Sequence, residues 1–334
     1  IQSGDGLDGI DISSGNSTRM VTREQTLIAW AREAGFHLAG IAALGPARHG
    51  DAFRAWLARG DHAGMTYLER GIEERCDPAR LLPGARSALV VGWRYAPLSG
   101  EGEPTGDLWP HVARYARGED YHDTLKGRLR RLADRVEASF PGTATRIAVD
   151  TSAILERDLG AAAGIGWIGK NTMLIHPVEG SWFLIGEILL TLDLEPDQPM
   201  ADRCGTCTRC LDACPTGALP EAYRLDANRC ISHWTIEHRG EFPESVPALL
   251  GDWVFGCDIC QEVCPWNRKP EAVDVPEFAL PEARRELDLA GLVGLSRDAY
   301  VERFRRSPMK RAKLEGLQRN AVAVVENRRR REAS

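Results

Sequence analysis

The chain has 334 residues, 43% of them apolar and 27% charged, with a net charge of −6. That balance excludes a disordered or fibrous chain, and the length suits about two or three domains. The longest apolar stretch, Trp182 to Leu192, is interrupted by Glu187 and is too short to span a bilayer.

Residues 1–19 (IQSGDGLDGIDISSGNSTR) are rich in Gly and Ser and show no apolar period. They lack the basic, apolar, small-residue order of a secretory signal and read as a mobile or cloning-derived leader before Met20. Residues 22–35 (TREQTLIAWAREAG) predict a helix capped near Thr22 and stopped by Gly35. Residues 36–44 predict a buried strand, 51–59 a second helix, and 87–95 (SALVVGWRY) a strong strand. The many Gly and Pro of 97–110 predict a loop. Residues 120–139 predict a helix, with Leu125, Leu129, Leu132 and Val136 at helical spacing. A strand over 146–150 (RIAVD) should end on an acid, followed by a helix over 152–163 and a long strand over 182–192. This alternation predicts an α+β fold with an α/β-layered domain over 20–193. Residues 194–203 are a linker into a Cys-rich module extending to 270, and 271–334 read as helical.

Eight of the nine cysteines lie between Cys204 and Cys264; Cys76 stands apart and reads as a plain thiol. With no export signal the expected location is cytoplasmic. In that reducing compartment clustered cysteines bind metal or do redox chemistry more often than they form disulfides. Cys204, Cys207, Cys210 and Cys214 follow C-x2-C-x2-C-x3-C, with Pro215 next. In this bacterial ferredoxin run three thiolates hold one [4Fe–4S] cube and the fourth serves the other. Cys257, Cys260, Cys264 and Pro265 give a second run whose first position is Val254, and Cys230 makes up the number. The pairing is then Cys204, Cys207, Cys210 and Cys264 for one cube, and Cys214, Cys230, Cys257 and Cys260 for the other. Structural zinc is the alternative, but it more often uses two C-x2-C pairs around a longer spacer.

Residues 164–171 (GIGWIGKN) match G-x-G-x-x-G, yet a helix precedes them and an extended segment follows, the reverse of a dinucleotide fingerprint. They also miss the P-loop hydroxyl, since Asn171 follows Lys170. Two clusters form an electron wire, and a wire needs a terminus. A flavin, a metal-containing cofactor or the substrate itself should therefore sit in the first domain.

The segments YLERGIEERCDPARLLPGARS, ARYARGEDYHDTLKGRL, VDTSAILERDLGAAAGIGWIGKNTMLI, CGTCTRCLDACPTGAL, CISHWTIEHRG and FGCDICQEVCPWN span most of residues 64–267. With LEGLQRNAVAVVEN near the end, they make the chain resemble the epoxyqueuosine reductase family, which completes the tRNA nucleoside queuosine. The resemblance implies a base-off cobalamin in 20–193, a layout shared with reductive dehalogenases, and a HEAT-like helical tRNA-contact region over 271–334. A His-ligated cobalamin carries D-x-H-x-x-G; Asp120 and His122 match, but Leu125 stands where Gly is needed.

The family's proton donor falls on Asp150, for which capping the helix at 152–163 is the plain alternative. His122 is a second polar candidate. Arg75, Lys170 and Asn171 become candidates for cobalamin contacts together with Asp150. Ser232, Gln261 and Glu262, beside cluster cysteines, should face the corrin. Residues 301–334 carry a net +7 and leave −13 on the remainder, which suits a phosphate-binding end on an acidic body. His233, Trp234 and His238 could stack on or bond an anticodon base, and Lys310, Arg311, Lys313 and Arg319 could meet the backbone. A monomer without membrane attachment is expected, and its electron donor is not legible. A dehalogenase-like reductase of a small molecule and a non-catalytic two-cluster carrier are the rival readings.

Overall fold

The computed structural model describes residues 21–98 and 106–333; the leader expected over 1–19 lies outside the described residues. Helix α1 (Arg23–Glu33) begins where Thr22 accepts the Gln25 N–H and the Gln25 side chain accepts the Thr22 N–H. That reciprocal capping box satisfies two otherwise unpaired donors. β1 (Leu38–Ala43), α2 (Gly50–Ala58), α3 (Ile72–Cys76) and β2 (Ser87–Arg94) follow. α4 (Tyr121–Ser139) buries Leu125, Leu129, Leu132 and Val136, the stripe its spacing predicts. β3 (Thr145–Ala148), α5 (Glu156–Ala162), β4 (Trp167–Ile168), β5 (Leu174–Ile175) and β6 (Phe183–Leu190) complete the first domain.

The four-stranded sheet runs β1-β2-β6-β3, and every neighbouring pair is antiparallel. Alternating strands and helices commonly signal a parallel sheet; here every hydrogen-bonded pair is antiparallel, and β2 and β3, which run in the same direction, are separated by β6, so the fold is α+β. One face packs under α1 and α4 around Leu89, Val91, Ile188 and Leu190. The other packs under α5 around Val90, Ala148, Leu159 and Leu189. Strand β2 is buried along its whole length, as a central strand covered on both faces must be. β4 and β5 form a separate hairpin out of the 164–175 segment, consistent with its reading as something other than a nucleotide loop.

Two expectations shift at the end of β3. The strand stops at Ala148 rather than at residue 150, and the helix expected from 152 starts at Glu156. Asp150 lies between them in the left-handed region at φ +46°. The residue preceding α5 is Leu155, so Asp150 does not cap that helix.

Beyond the linker, which holds no helix or strand but is tied to Ile41 through Asp197, the Cys-rich module holds α6 (Arg209–Ala213), a π-helical turn (His233–Glu237), α7 (Val246–Leu249) and α8 (Ile259–Glu262). The C-terminal stretch is not one continuous helical run. It divides into α9 (Glu282–Arg285), α10 (Leu289–Val293), α11 (Arg297–Phe304) and α12 (Lys313–Glu332). Asp288 and Ser296 cap α10 and α11, and Pro308 opens a 3-10 turn before α12. These helices share one core with Leu108, Trp109, Val112, Val254 and Phe255, which seats them on the rest of the molecule. Among the described residues no helix is long and apolar enough to cross a membrane.

Candidate functional site

The cysteine loops surround α6 and α8, and the electrostatic neighbours of their thiols sort them into two sets. Cys204 and Cys264 act on Cys210, and Cys204 and Cys207 act on Cys264. Cys214 acts on Cys230, and both of these act on Cys257. Cys257 and Cys230 act on Cys260, which also feels Cys210 across the gap between the sets. The first set borders a cavity of about 260 Å³. Among the described residues no three His, Cys, Asp or Glu side chains close around a single ion. Burial first, then neighbouring thiols, push Cys257 and Cys260 well above the ordinary thiol value. Thiolates there need a cationic partner such as iron.

Lys170 and Asn171 support these loops. Lys170 Nζ donates to the carbonyls of Gly205 (2.6 Å) and Cys207 (3.0 Å). Asn171 Nδ2 donates to the Cys260 carbonyl at 3.2 Å, while its Oδ1 accepts the Met173 N–H. Both side chains proposed from sequence as cofactor contacts are thus spent on the cysteine loops.

Asp150 belongs to a hydrogen-bonded chain. His122 Nε2 lies 3.0 Å from Asp150 Oδ2, and His122 Nδ1 lies 2.7 Å from Asp120 Oδ1. Lys310 Nζ holds the other Asp120 oxygen at 2.7 Å. Tyr121 stacks on the His122 ring with centroids 4.1 Å apart. Burial alone would lower the His122 pKa, but the bonds to Asp120 and Asp150 outweigh it and raise it to about 9. At neutral pH the imidazole therefore carries its proton and donates from both nitrogens, to Asp120 and to Asp150. The Asp150 side chain is 53% exposed, so it can reach a ligand.

Some neighbours had no motif to announce them. Glu156 Oε1 accepts the Asp150 N–H in a close contact. Burial first, and the Asp150 charge second, push the Glu156 carboxyl up. Glu187 on β6 is fully buried and neither carboxyl oxygen has a hydrogen-bond partner. Burial, then Glu156 and Asp150, hold it well above the ordinary range, so it stays protonated. The one sequence signal was an acid inside an apolar strand. Burial, and next the Asp150 charge, keep the Tyr115 phenol protonated as well. The electrostatic neighbours of Arg157 include Cys260 and Asp150, which links the second thiol set to the acid.

The remaining candidates lie in several environments. The Arg75 Nε and the His233 Nδ1 are buried without partners, as is the His62 Nδ1. Gly64 sits beside His233, with a Cβ there only 3.9 Å from His233 Nε2, and the electrostatic neighbours of Tyr67 include Asp150 and Arg75. Arg311 pairs with Glu237 through two bonds of 3.0 and 2.8 Å and stands 5.5 Å over the Tyr67 ring. Ser232 immediately precedes the π turn and bonds toward Cys230. Gln261 is buried and accepts from Ser181 Oγ at 2.8 Å, whereas Glu262 is exposed beside Arg114.

Trp234 Nε1 donates to the Asn228 carbonyl at 2.9 Å, and its ring contacts His233 and His238. His238 Nε2 donates to the Glu241 carbonyl at 2.9 Å. Lys313 is exposed at the start of α12. Arg319 donates to the carbonyls of Trp234, His238 and Gly240 and stacks 3.9 Å over Phe242. Its guanidinium ties α12 to the segment after the π turn rather than facing solvent freely.

A family model described as "4Fe-4S double cluster binding domain" matches residues 203–267. Another, described as "Epoxyqueuosine reductase QueG, DUF1730", matches residues 75–151, which include Asp120, His122 and Asp150. With the cysteine loops joined to a domain bearing an Asp–His–Asp proton chain, the molecule is an iron–sulfur oxidoreductase. An epoxyqueuosine reductase of Xanthomonas campestris pv. campestris is 41% identical over 308 residues, 89% of this chain and 84% of the relative. One of Gloeobacter violaceus is 43% identical over 304 residues, 88% and 93% of the respective chains. A crystal structure of epoxyqueuosine reductase with an epoxyqueuosine-modified tRNA-Tyr stem loop is similar at TM-score 0.83 and 31% identity, over 91% of this chain and 80% of that one. The chain belongs to the epoxyqueuosine reductase family.

Proposed function

We propose that this protein reduces epoxyqueuosine in the tRNA anticodon to queuosine, with Asp150 delivering the proton to the departing epoxide oxygen. Converting the epoxide to the alkene takes two electrons and two protons and releases water. The observation that carries the reading is the Asp120–His122–Asp150 chain. Lys310 and His122 fix Asp120, so the His122 Nδ1 proton stays with Asp120 and the Nε2 proton points at Asp150. As the epoxide oxygen departs, the His122 Nε2 proton passes to Asp150 and from Asp150 to that oxygen, which leaves the imidazole neutral and Asp150 a carboxylate without side-chain movement.

Two [4Fe–4S] clusters fit the donor chemistry of the two thiol sets, with the pairing given above. The cobalamin is proposed to lie beside Tyr67, whose electrostatic neighbours include Asp150 and Arg75. The unpartnered Arg75 Nε, His62 Nδ1 and His233 Nδ1 are groups that an amide-rich, phosphate-bearing ligand can satisfy. When bound, it supplies a low-potential two-electron reductant. Both nitrogens of His122 are engaged by carboxylates, and Leu125 is buried in the α4 core, which supports a base-off form without a ligand from this segment.

Arg75, Ser232 and Gln261 are proposed to border the corrin, and Lys170 and Asn171 to hold the cluster loops beneath it. Lys313, Lys310 and Arg311 on the exposed rim near Asp120 and Glu237 are the proposed tRNA phosphate contacts, with His233, Trp234 and His238 beside the base. The helical segment over 271–334 supports that surface, and a cytoplasmic location follows from a tRNA substrate.

Asp150→Ala tests the reading. The variant should retain iron and bind cobalamin, yet lose turnover on epoxyqueuosine tRNA by about 10²- to 10⁴-fold, the usual worth of a general acid. Full turnover would remove Asp150 from the role.

A further inference from the structure

We propose that the rim around the Cys204/Cys207/Cys210/Cys264 set is the docking surface for a small acidic one-electron carrier protein, through which electrons enter this enzyme. The inference rests on the reading that both thiol sets hold clusters. Every charged side chain that borders the 260 Å³ cavity at this set is basic: Lys170, Arg203, Arg209 and Lys269. Arg203, Arg209 and Lys269 are exposed, while Lys170 is spent on the loop carbonyls. Lys269 Nζ stands 4.9 Å over the Trp266 ring, which fixes its charge at the cavity edge. A chain with net charge −6 has no general excess of cations, so this concentration of one sign is local.

The rim also stands at the correct end of the wire. The second set lies on the Asp150 side: Asn171 donates to the Cys260 carbonyl, Arg157 donates to the adjacent Thr172 carbonyl, and Arg157 has both Cys260 and Asp150 among its electrostatic neighbours. The first set meets the second through Cys210 and Cys260, and the cavity that its four thiols line, where its cluster would sit, carries the exposed basic rim. Electrons arriving at the rim would pass from the first cluster to the second and then toward Asp150. In each encounter the reduced carrier loses one electron and the outer cluster gains one, so two encounters supply one epoxide reduction. A positive rim raises the encounter rate with an acidic carrier, and added salt screens that attraction.

The test uses the cluster-loaded full chain and a chemically reduced acidic flavodoxin as probe. In Arg203→Glu/Arg209→Glu/Lys269→Glu, the second-order rate of cluster reduction at low salt should fall by about tenfold or more, and its salt dependence should flatten or invert. Lys269→Glu alone should give a smaller loss of the same kind. Reduction by dithionite, the potentials of both clusters and stem-loop tRNA affinity should stay at wild-type values. Calorimetric titration with the flavodoxin reads docking apart from turnover, and iron content reads cluster loading apart from docking. An unchanged flavodoxin rate and affinity would overturn the proposal. So would a shift in cluster potential that accounts for the slower rate, which would make the rim a charge compensator. Loss of tRNA affinity with flavodoxin binding intact would assign the rim to RNA instead.

Discussion

A single imidazole shows how local contacts set chemistry. His122 is held between two carboxylates, and its pKa rises to about 9 although burial opposes the charge. A folded-state value above the ordinary 6.5 means that the contact stabilises the protein fully below that value and ceases to do so as pH rises through about 9. Proton supply to Asp150 should follow the same window, so kcat/KM should decline on the alkaline side near that pH. Asp120→Asn removes the stronger of the two bonds that raise the imidazole. Its alkaline limb should move to lower pH, while activity well below pH 6.5 is affected less. An alkaline limb that stays in place, measured over pH 6 to about 10, would show that His122 does not govern the step. Asp150 and His122 were both legible in the sequence as motif positions. Glu156 and Glu187 were not, because a lone acid in a helix or strand carries no sign of what it faces.

At the scale of elements, the repeated pattern is a polar side chain spent on carbonyls that no regular structure satisfies. Asn320 on α12 is fully buried and donates to the Thr235 carbonyl and the Val254 carbonyl, both at 2.8 Å. It joins the C-terminal helix to the π turn and to the strand-like segment before the second cysteine loop. Asn320→Leu leaves both acceptors dry, which should destabilise the chain by roughly 2–4 kcal/mol in urea unfolding of the cluster-loaded protein. A midpoint unchanged from wild type would show that water replaces the amide. The same logic explains Lys170, whose charge on the Gly205 and Cys207 carbonyls braces the first cysteine loop. Periodicity located α1, α4 and the strong strands to within a few residues. It missed the late start of α5 and the breaks within 282–313, since bends and caps there answer to tertiary packing rather than to period.

Across the whole molecule, the proposed cysteine pairing has the longest reach, since it would join residues 204–214 to 230 and 257–264. Cys230→Ser should disturb the spectrum of the cluster assigned to Cys214, Cys257 and Cys260 and leave that of Cys204, Cys207, Cys210 and Cys264 intact. Electron paramagnetic resonance of the reduced protein separates the two, and two unaltered signals would refute the pairing. Sequence by itself determined the cysteine inventory, its ferredoxin-type spacing and the family, because these depend on residue identity and on short intervals along the chain. Tertiary structure alone decided that Lys170, Asn171 and Arg319 serve the protein's own carbonyls, and that Asp150 leaves β3 with a positive φ to meet His122. It also gathered the basic rim from residues 170, 203, 209 and 269. Those outcomes turn on hydrogen-bond satisfaction and charge proximity between distant segments, and neither is encoded in any short stretch of sequence.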